Sequence, residues 1–142
     1  MQTDLGVADL GGLLEEPLLA VLATLRADGT VLLSPVWYEW RDGAFNVWVE
    51  RDNAKARHLR RDPRATIVVA ESVPPLRGIE VRGTAQIIED DVTETARRIA
   101  SRYLSEDEAA ADAEALGGAA VIVRLEPGVL RVWDFADEYD LG

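Results

Sequence analysis

Lys55, Arg57, His58, Arg60, Arg61 and Arg64 crowd into one short segment of an otherwise acidic chain, which has 26 Asp and Glu against 15 Lys and Arg and a formal net charge of −11. The island opens at Asp52-Asn53-Ala54-Lys55, where a strand-forming run hands over to a helical pattern. Unpaired N–H groups of a first helical turn and the positive end of its dipole suit an anion, often a phosphate. The competing reading is solvated surface charge, since charge runs usually decorate a wet helix face. Lys55 carries the anion chemistry best, as a flexible point cation beside N–H donors. Arg57, two positions on, is turned roughly 200° around a 3.6-residue helix and is expected to meet acids or a partner chain. His58 shares the face of Lys55 and either contacts the phosphate end or packs. Arg60, Arg61 and Arg64 read as ion-pair partners. Asp52 puts a negative charge beside the anion site and reads as an N-cap.

Composition removes most other chemistries. The chain has no cysteine, hence no disulfide, thiolate metal site or Cys nucleophile, and its one histidine argues against a His-rich metal centre or a Ser-His-Asp triad. No carboxylate pair or nucleophile constellation emerges, so no catalytic residue is named. Gly-rich dinucleotide and Walker-type loops are missing. The negative charge argues against nucleic-acid binding, because phosphate neutralisation dominates that affinity. No apolar run nears the roughly 20 residues that cross a bilayer, and the N-terminus lacks a leader-like basic and apolar pattern. A cytoplasmic protein follows, with no membrane or nucleic-acid partner. At 142 residues, 48% hydrophobic and 29% charged, residues 1–142 form a single globular domain.

The elements that must position Lys55 are mainly β. A short helix is expected over 9–16, then strands over 18–26, 31–40 and 44–50 joined by turns at Asp28-Gly29 and Asp42-Gly43. Asp-Gly between apolar runs is a hairpin signal because type I′ turns need positive φ. Three consecutive strands apolar on two sides suggest an antiparallel meander closed or half-closed into a barrel. A helix over 53–62 ends at Asp62-Pro63. Strands follow over 64–72 and 78–89, with Gly83 at a bulge or bend. Helices are expected over 91–103 and 106–116, the second opened by a Ser105/Glu108 capping box and acidic enough to read as a solvated face. Strands over 119–125 and 129–135 close the chain. On the strand over 31–40, Trp37 and Trp40 have opposite parity, so one can line a planar ligand while the other packs. Trp48 and Trp133 read as packing residues.

The ordered set Ala23-Thr24-Leu25, Asp28-Gly29, Ser34-Pro35-Val36-Trp37-Tyr38, Asn53-Ala54-Lys55-Ala56-Arg57-His58-Leu59, Leu76-Arg77-Gly78 and Gly83-Thr84-Ala85 resembles the pyridoxamine-phosphate-oxidase-like split β-barrel superfamily. Within it the closest likeness is to the flavin/deazaflavin oxidoreductase branch, and it runs from about Leu18 to Phe135. The resemblance implies an α+β fold, mainly β with inserted helices, built as a six- or seven-stranded antiparallel split barrel. It also implies a homodimer with a flavin-type cofactor at the dimer interface. Lys55 matches the lysine that holds the cofactor phosphate, and Asn53 and Ala54 match the preceding turn. Ser34, Pro35, Val36 and Trp37 match the segment along the ring, and Val49 and Glu50 match the strand end beside ring and phosphodiester. His58, from its place on the face of Lys55, and Arg77, which would reach the neighbouring subunit's site and meet an acidic F420 tail or a substrate carboxylate, are the remaining candidate contacts.

The resemblance favours coenzyme F420 over FMN and implies hydride transfer between the bound ring and a small conjugated substrate. The cofactor supplies such chemistry while the protein orients it. Two alternatives stand beside this reading. One is a flavin, F420 or haem carrier of the same fold without turnover. The other, a pyridoxamine-phosphate oxidase proper, is disfavoured because the acidic segment Asp137-Glu138-Tyr139-Asp140 should repel a phosphorylated vitamer.

Overall fold

The computed structural model describes residues 1–139; Asp140 of the acidic C-terminal segment, with Leu141 and Gly142, lies outside them. The helix expected over 9–16 is instead two short 3-10 turns, Val7–Leu10 and Leu13–Glu15, which still bury Leu10, Leu13 and Leu14. Gly11 sits between them at φ +59, a conformation that ends regular helix.

β1 (Ala20–Leu25) pairs antiparallel with β2 (Val31–Val36), and β3 (Glu39–Arg41) pairs with β4 (Ala44–Glu50). Both Asp-Gly hairpins form, by different turns. Asp42 and Gly43 both have positive φ, 53 and 75, as a type I′ turn requires. At the other turn only Gly29 is positive, at 85. There the Asp28 carboxylate accepts from the Thr30 N–H at 3.0 Å and from its hydroxyl at 2.6 Å, which stabilises a longer loop.

The expected strand over 31–40 is broken at Trp37-Tyr38, and the three-strand meander does not form. With β5 (Arg64–Ala70), β6 (Gly78–Ile88) and β7 (Ala120–Leu125), the strand order is β2-β1-β5-β6-β7-β4-β3, so β2 and β3 lie at opposite ends of the path although they are adjacent in sequence. Three peptide steps from Val36 to Glu39 reach at most about 11 Å. The sheet must therefore curl until its two ends approach, leaving a split where β2 faces β4 without pairing to it. Splitting one expected strand in two also accounts for eight strands rather than six or seven.

The long strand β6 (Gly78–Ile88) joins the halves of the curl. It pairs with β5 (Arg64–Ala70) along residues 78–84, with β8 (Val129–Trp133) along 78–82, and with β7 (Ala120–Leu125) along 85–88. Gly83 stands at the exchange of partners, where a Cβ would run into the Glu126 carbonyl oxygen. Interior positions include Leu22, Phe45, Val47, Ile67, Val81 and Val123, all at most 2% exposed.

Helix α1 (Ala54–Arg61) covers one end of the barrel with Ala56 and Leu59. α2 (Thr93–Ser101) buries Ala96, Ile99 and Ala100. It is anchored by Arg98, which donates to both Glu39 carboxylate oxygens at 3.1 and 3.0 Å while Asn46 donates to one of them at 2.8 Å. α3 (Glu106–Leu116) packs on α2 through Ala109 and Ala113. The Ser105/Glu108 capping box opens it with reciprocal bonds of 3.2 Å. Among the described residues no helix is long and apolar enough to cross a membrane.

Candidate functional site

The unclosed side of the sheet holds a cavity of about 590 Å³. Pro35, Val36 and Trp37 line it from the end of β2, Trp48, Val49 and Glu50 from the end of β4, and Asn53 and Lys55 from the entry to α1. Leu19 and Asp112 of α3 complete the wall. Because β2 and β4 are not sheet neighbours, this cleft exists only once the sheet has curled.

The local geometry at α1 follows from its cap. Asn53 is extended (φ −68, ψ 152), and its Oδ1 accepts from the Lys55 N–H at 3.0 Å. The N-cap is therefore Asn53 and not Asp52, because its side chain sits at the position from which an oxygen reaches N2. The bond occupies one first-turn N–H that would otherwise face an anion. Lys55, half-buried and lining the cavity, forms no ion pair among the described residues.

The arginines beyond it are engaged with their own chain. Arg57 donates to the Asp52 carbonyl at 2.5 Å, Arg60 to the Arg51 carbonyl at 2.8 Å, and Arg61 to the Leu25 carbonyl. Arg60 also pairs with Glu89 at 3.5 Å, and Arg64 with Asp62 at 2.7 Å. Hydrogen bonds from Arg64 hold the Asp62 carboxyl down at about 2.

The aromatic wall is set by long-range contacts. Trp37 stacks on Tyr103 with ring centroids 4.7 Å apart and planes 6° apart. The Tyr103 hydroxyl donates to the Leu18 carbonyl at 2.7 Å, which fixes the stack. Trp40 packs edge-on against Phe45 at 4.8 Å, away from the cavity lining. Trp133 packs over Gly78, with the Arg131 guanidinium 4.7 Å from its ring. Trp48 packs with Leu116, Val92, Ala120 and Ile122 but also lines the cavity, and its indole Nε1 is buried without a hydrogen-bond partner. Asp112 Oδ2 is buried in the same unpartnered state.

Four residues implied by the family likeness lie off the lining. Ser34 is a buried residue of β2, and Ala54 is the first residue of α1. His58 Nδ1 lies 2.9 Å from the Thr24 hydroxyl, tying α1 to β1. Desolvation and the nearby Arg61, Arg26 and Arg57 charges lower its pKa. A neutral, hydroxyl-bonded imidazole is the packing alternative of the two considered for His58. Arg77 grips Glu71 through Nε at 2.9 Å and Nη2 at 3.1 Å, and donates to the Leu10 carbonyl at 3.2 Å. This bidentate pair braces the loop before β6 within the chain itself.

Pattern reading missed Leu19, Trp48 and Asp112. For Asp112 a signal existed: Ala109, Asp112, Ala113 and Leu116 recur at the i, i+3, i+4, i+7 spacing of a single helix face. The acid stands inside the packed stripe and not on the solvated side.

The donor set fits a flat conjugated ring with an anionic tail. Apolar and aromatic walls come from Pro35, Val36, Trp37 and Val49, and a cation beside a helix start comes from Lys55. The sequence pattern of the pyridoxamine 5′-phosphate oxidase family matches residues 9–134. The chain belongs to that family. Among solved structures it is similar to the conserved hypothetical protein Rv2991 from Mycobacterium tuberculosis, at 26% identity and a TM-score of 0.79, over 95% of this chain and 88% of that one. An F420 reductase matches at 27% identity and a TM-score of 0.67, over 84% of this chain and 93% of that one. An FAD-binding protein from Mesorhizobium loti shares the fold at 16% identity and a TM-score of 0.66, over 92% of this chain and 93% of that one. The split barrel expected for a member of the pyridoxamine 5′-phosphate oxidase family is the architecture found.

Proposed function

We propose that this chain is an oxidoreductase that binds coenzyme F420, or else FMN, in the cavity between β2, β4 and α1. The observation that carries this reading is the convergence of Lys55 with Trp37 and Val49 on one cleft, although β2, which ends beside Trp37, and β4, which carries Val49 and leads into α1, lie far apart in the strand order. The preference for F420 draws on the likeness to an F420 reductase. When bound, the cofactor supplies hydride transfer to or from a small conjugated substrate. Lys55 holds the phosphate, with charge-assisted bonds favouring the oxyanion. Trp37, clamped by Tyr103, and Val36 orient the ring and exclude water. Glu50 borders the tail, where its charge opposes any second anionic group.

The functional unit is proposed to be a homodimer. Leu19, just before β1, and Val31 and Leu33 on β2 are 58%, 48% and 64% exposed. Exposed apolar side chains of this kind on an edge strand and beside the cavity are what association covers. In this arrangement Arg77 would brace a loop near the partner's cavity and would not itself hold the cofactor.

Titration with F420 and with FMN, followed by tryptophan fluorescence, tests the reading. Micromolar binding that Lys55→Ala removes supports it, and equal binding by the variant removes Lys55 from the site. Binding without oxidation of the reduced cofactor by a panel of enones and quinones would make the protein a carrier. Sedimentation equilibrium tests the dimer, and a monomer at micromolar concentration rejects it.

A further inference from the structure

We propose that Tyr103, just beyond α2, is a positioning residue for the ring-binding side of the cavity. Its one hydroxyl ties together the two chain segments that bring Leu19 and Trp37 into the lining. This assignment deepens the cofactor reading above and rests on it.

A phenol hydroxyl can donate one hydrogen bond and accept others. Tyr103 does both, with groups far away in the chain. It donates to the Leu18 carbonyl at 2.7 Å and accepts from the Tyr38 N–H at 3.3 Å. Leu18 immediately precedes Leu19 and Tyr38 immediately follows Trp37, and Leu19 and Trp37 both line the cavity. Trp37 is held twice, since the Tyr103 ring also stacks on its indole. Among the described residues that line the cavity Tyr103 is not one, so it acts on a ligand through its neighbours, chiefly Trp37. Burial raises the pKa of the Tyr103 hydroxyl, which keeps it protonated and able to donate.

Other side chains anchor the same region without this hydroxyl. The Arg102 guanidinium donates to the Leu14 and Glu16 carbonyls at 3.0 and 2.9 Å and lies 4.9 Å from the centre of the Tyr38 ring. The Tyr38 hydroxyl donates to the Glu16 carbonyl as well. Those ties secure residues 14–16 and the buried Tyr38 side chain. They stop short of the Leu18 carbonyl and the Tyr38 N–H, and Tyr103 takes hold there. A phenylalanine at 103 would place the same ring on Trp37. What the hydroxyl adds is a fixed relation of Leu18 to Tyr38, and hence of Leu19 to Trp37. A wall fixed before a ligand arrives loses less freedom on binding, which raises affinity for whatever packs on it. The gain belongs to the ring, because the cofactor reading gives the phosphate to Lys55.

The test uses one ring with and without its phosphate: FMN and riboflavin, or F420 and its tail-free deazaflavin if only these bind. Affinity is read from quenching of ring fluorescence, ring orientation from the visible circular dichroism of the saturated complex, and folding from the melting temperature without ligand. Tyr103→Phe is expected to fold, to weaken both ligands by the same factor of about three to ten, and to shrink the visible dichroism of the bound ring. Lys55→Ala is expected to weaken the phosphorylated ligand alone. In a Trp37→Ala background, adding Tyr103→Phe should weaken riboflavin by less than about twofold, as coupled positions require. Unchanged affinity and dichroism in Tyr103→Phe overturn the inference and leave the cofactor reading standing. A loss confined to the phosphorylated ligand overturns it too, as does an undiminished loss in the Trp37→Ala background. A Tyr103→Phe chain that does not fold also overturns it, because the hydroxyl would then serve stability. Failure of wild-type protein to bind any of these ligands overturns both.

Discussion

The two ends of α1 carry the same sign of charge and use it differently. At its start, Lys55 projects from an Asn53-capped turn into the cavity and meets no carboxylate among the described residues. Further along, Arg57, Arg60 and Arg61 close onto backbone carbonyls of Asp52, Arg51 and Leu25. Two of those carbonyls immediately precede the cap, so Arg57 and Arg60 hold in place the turn from which Lys55 projects. The difference shows that a run of like charges is divided by what the fold sets beside each side chain. The arginines act as clasps, and the one lysine remains available to a ligand.

The largest expected effect breaks the comparison at its functional end. Lys55→Ala removes charge-assisted bonds worth about 1.5–3 kcal/mol, a loss of roughly 10- to 150-fold in F420 or FMN affinity, with an unchanged melting temperature. Fluorescence titration beside a thermal melt reads both quantities. Next comes the cap: Asn53→Ala should cost about 1 kcal/mol of stability in urea unfolding, and Asn53→Gly only a few tenths. If both variants unfold like wild type, the cap is not what sets the start of α1.

Arg61→Ala sharpens the other side of the comparison. Loss of one largely exposed hydrogen bond should lower stability by about 0.5–1 kcal/mol while cofactor affinity stays within about twofold. An affinity loss matching that of Lys55→Ala would erase the distinction between the two ends. The smallest effect is acid-linked. Asp62, at the C-terminal end of α1, is held at about 2 by Arg64 against an ordinary value of 3.8. A depressed carboxyl contributes stability that is present above its unfolded value and lost as pH falls through the folded one. Wild type should therefore lose this increment between pH 3.8 and 2, and Asp62→Asn should flatten that part of the acid-unfolding profile.

Much of the local architecture was legible. Both Asp-Gly hairpins, the helix ended by Asp62-Pro63, the Ser105/Glu108 capping box and the bend at Gly83 depend on a few neighbouring residues with defined backbone needs. The cavity lining was legible at Asn53 and Lys55, where it follows the chain locally, and through the family likeness at Pro35, Val36, Trp37, Val49 and Glu50. What failed were inferences that carried a local rule across space. The continuous strand assumed over 31–40 is one, since Tyr38, fully buried with its hydroxyl bonded to the Glu16 carbonyl at 3.0 Å, interrupts it, although the division it implied holds, with Trp37 on the cavity and Trp40 packed on Phe45. Arg77 looked free for a ligand because Glu71, which grips it, approaches only through the loop that separates them.

By itself the sequence determined the element types, their turns and caps, and the lysine at a helix start, because propensity, periodicity and capping act within a few residues. Only the tertiary structure decided that β2 and β4 face one another across an unclosed sheet, since that depends on pairing order among strands far apart in the chain. The same curl decided which cations stay available, and it set Trp48 and Asp112 on one cavity. Those outcomes are governed by which groups meet after collapse, and pairwise proximity of that kind is not written in local pattern.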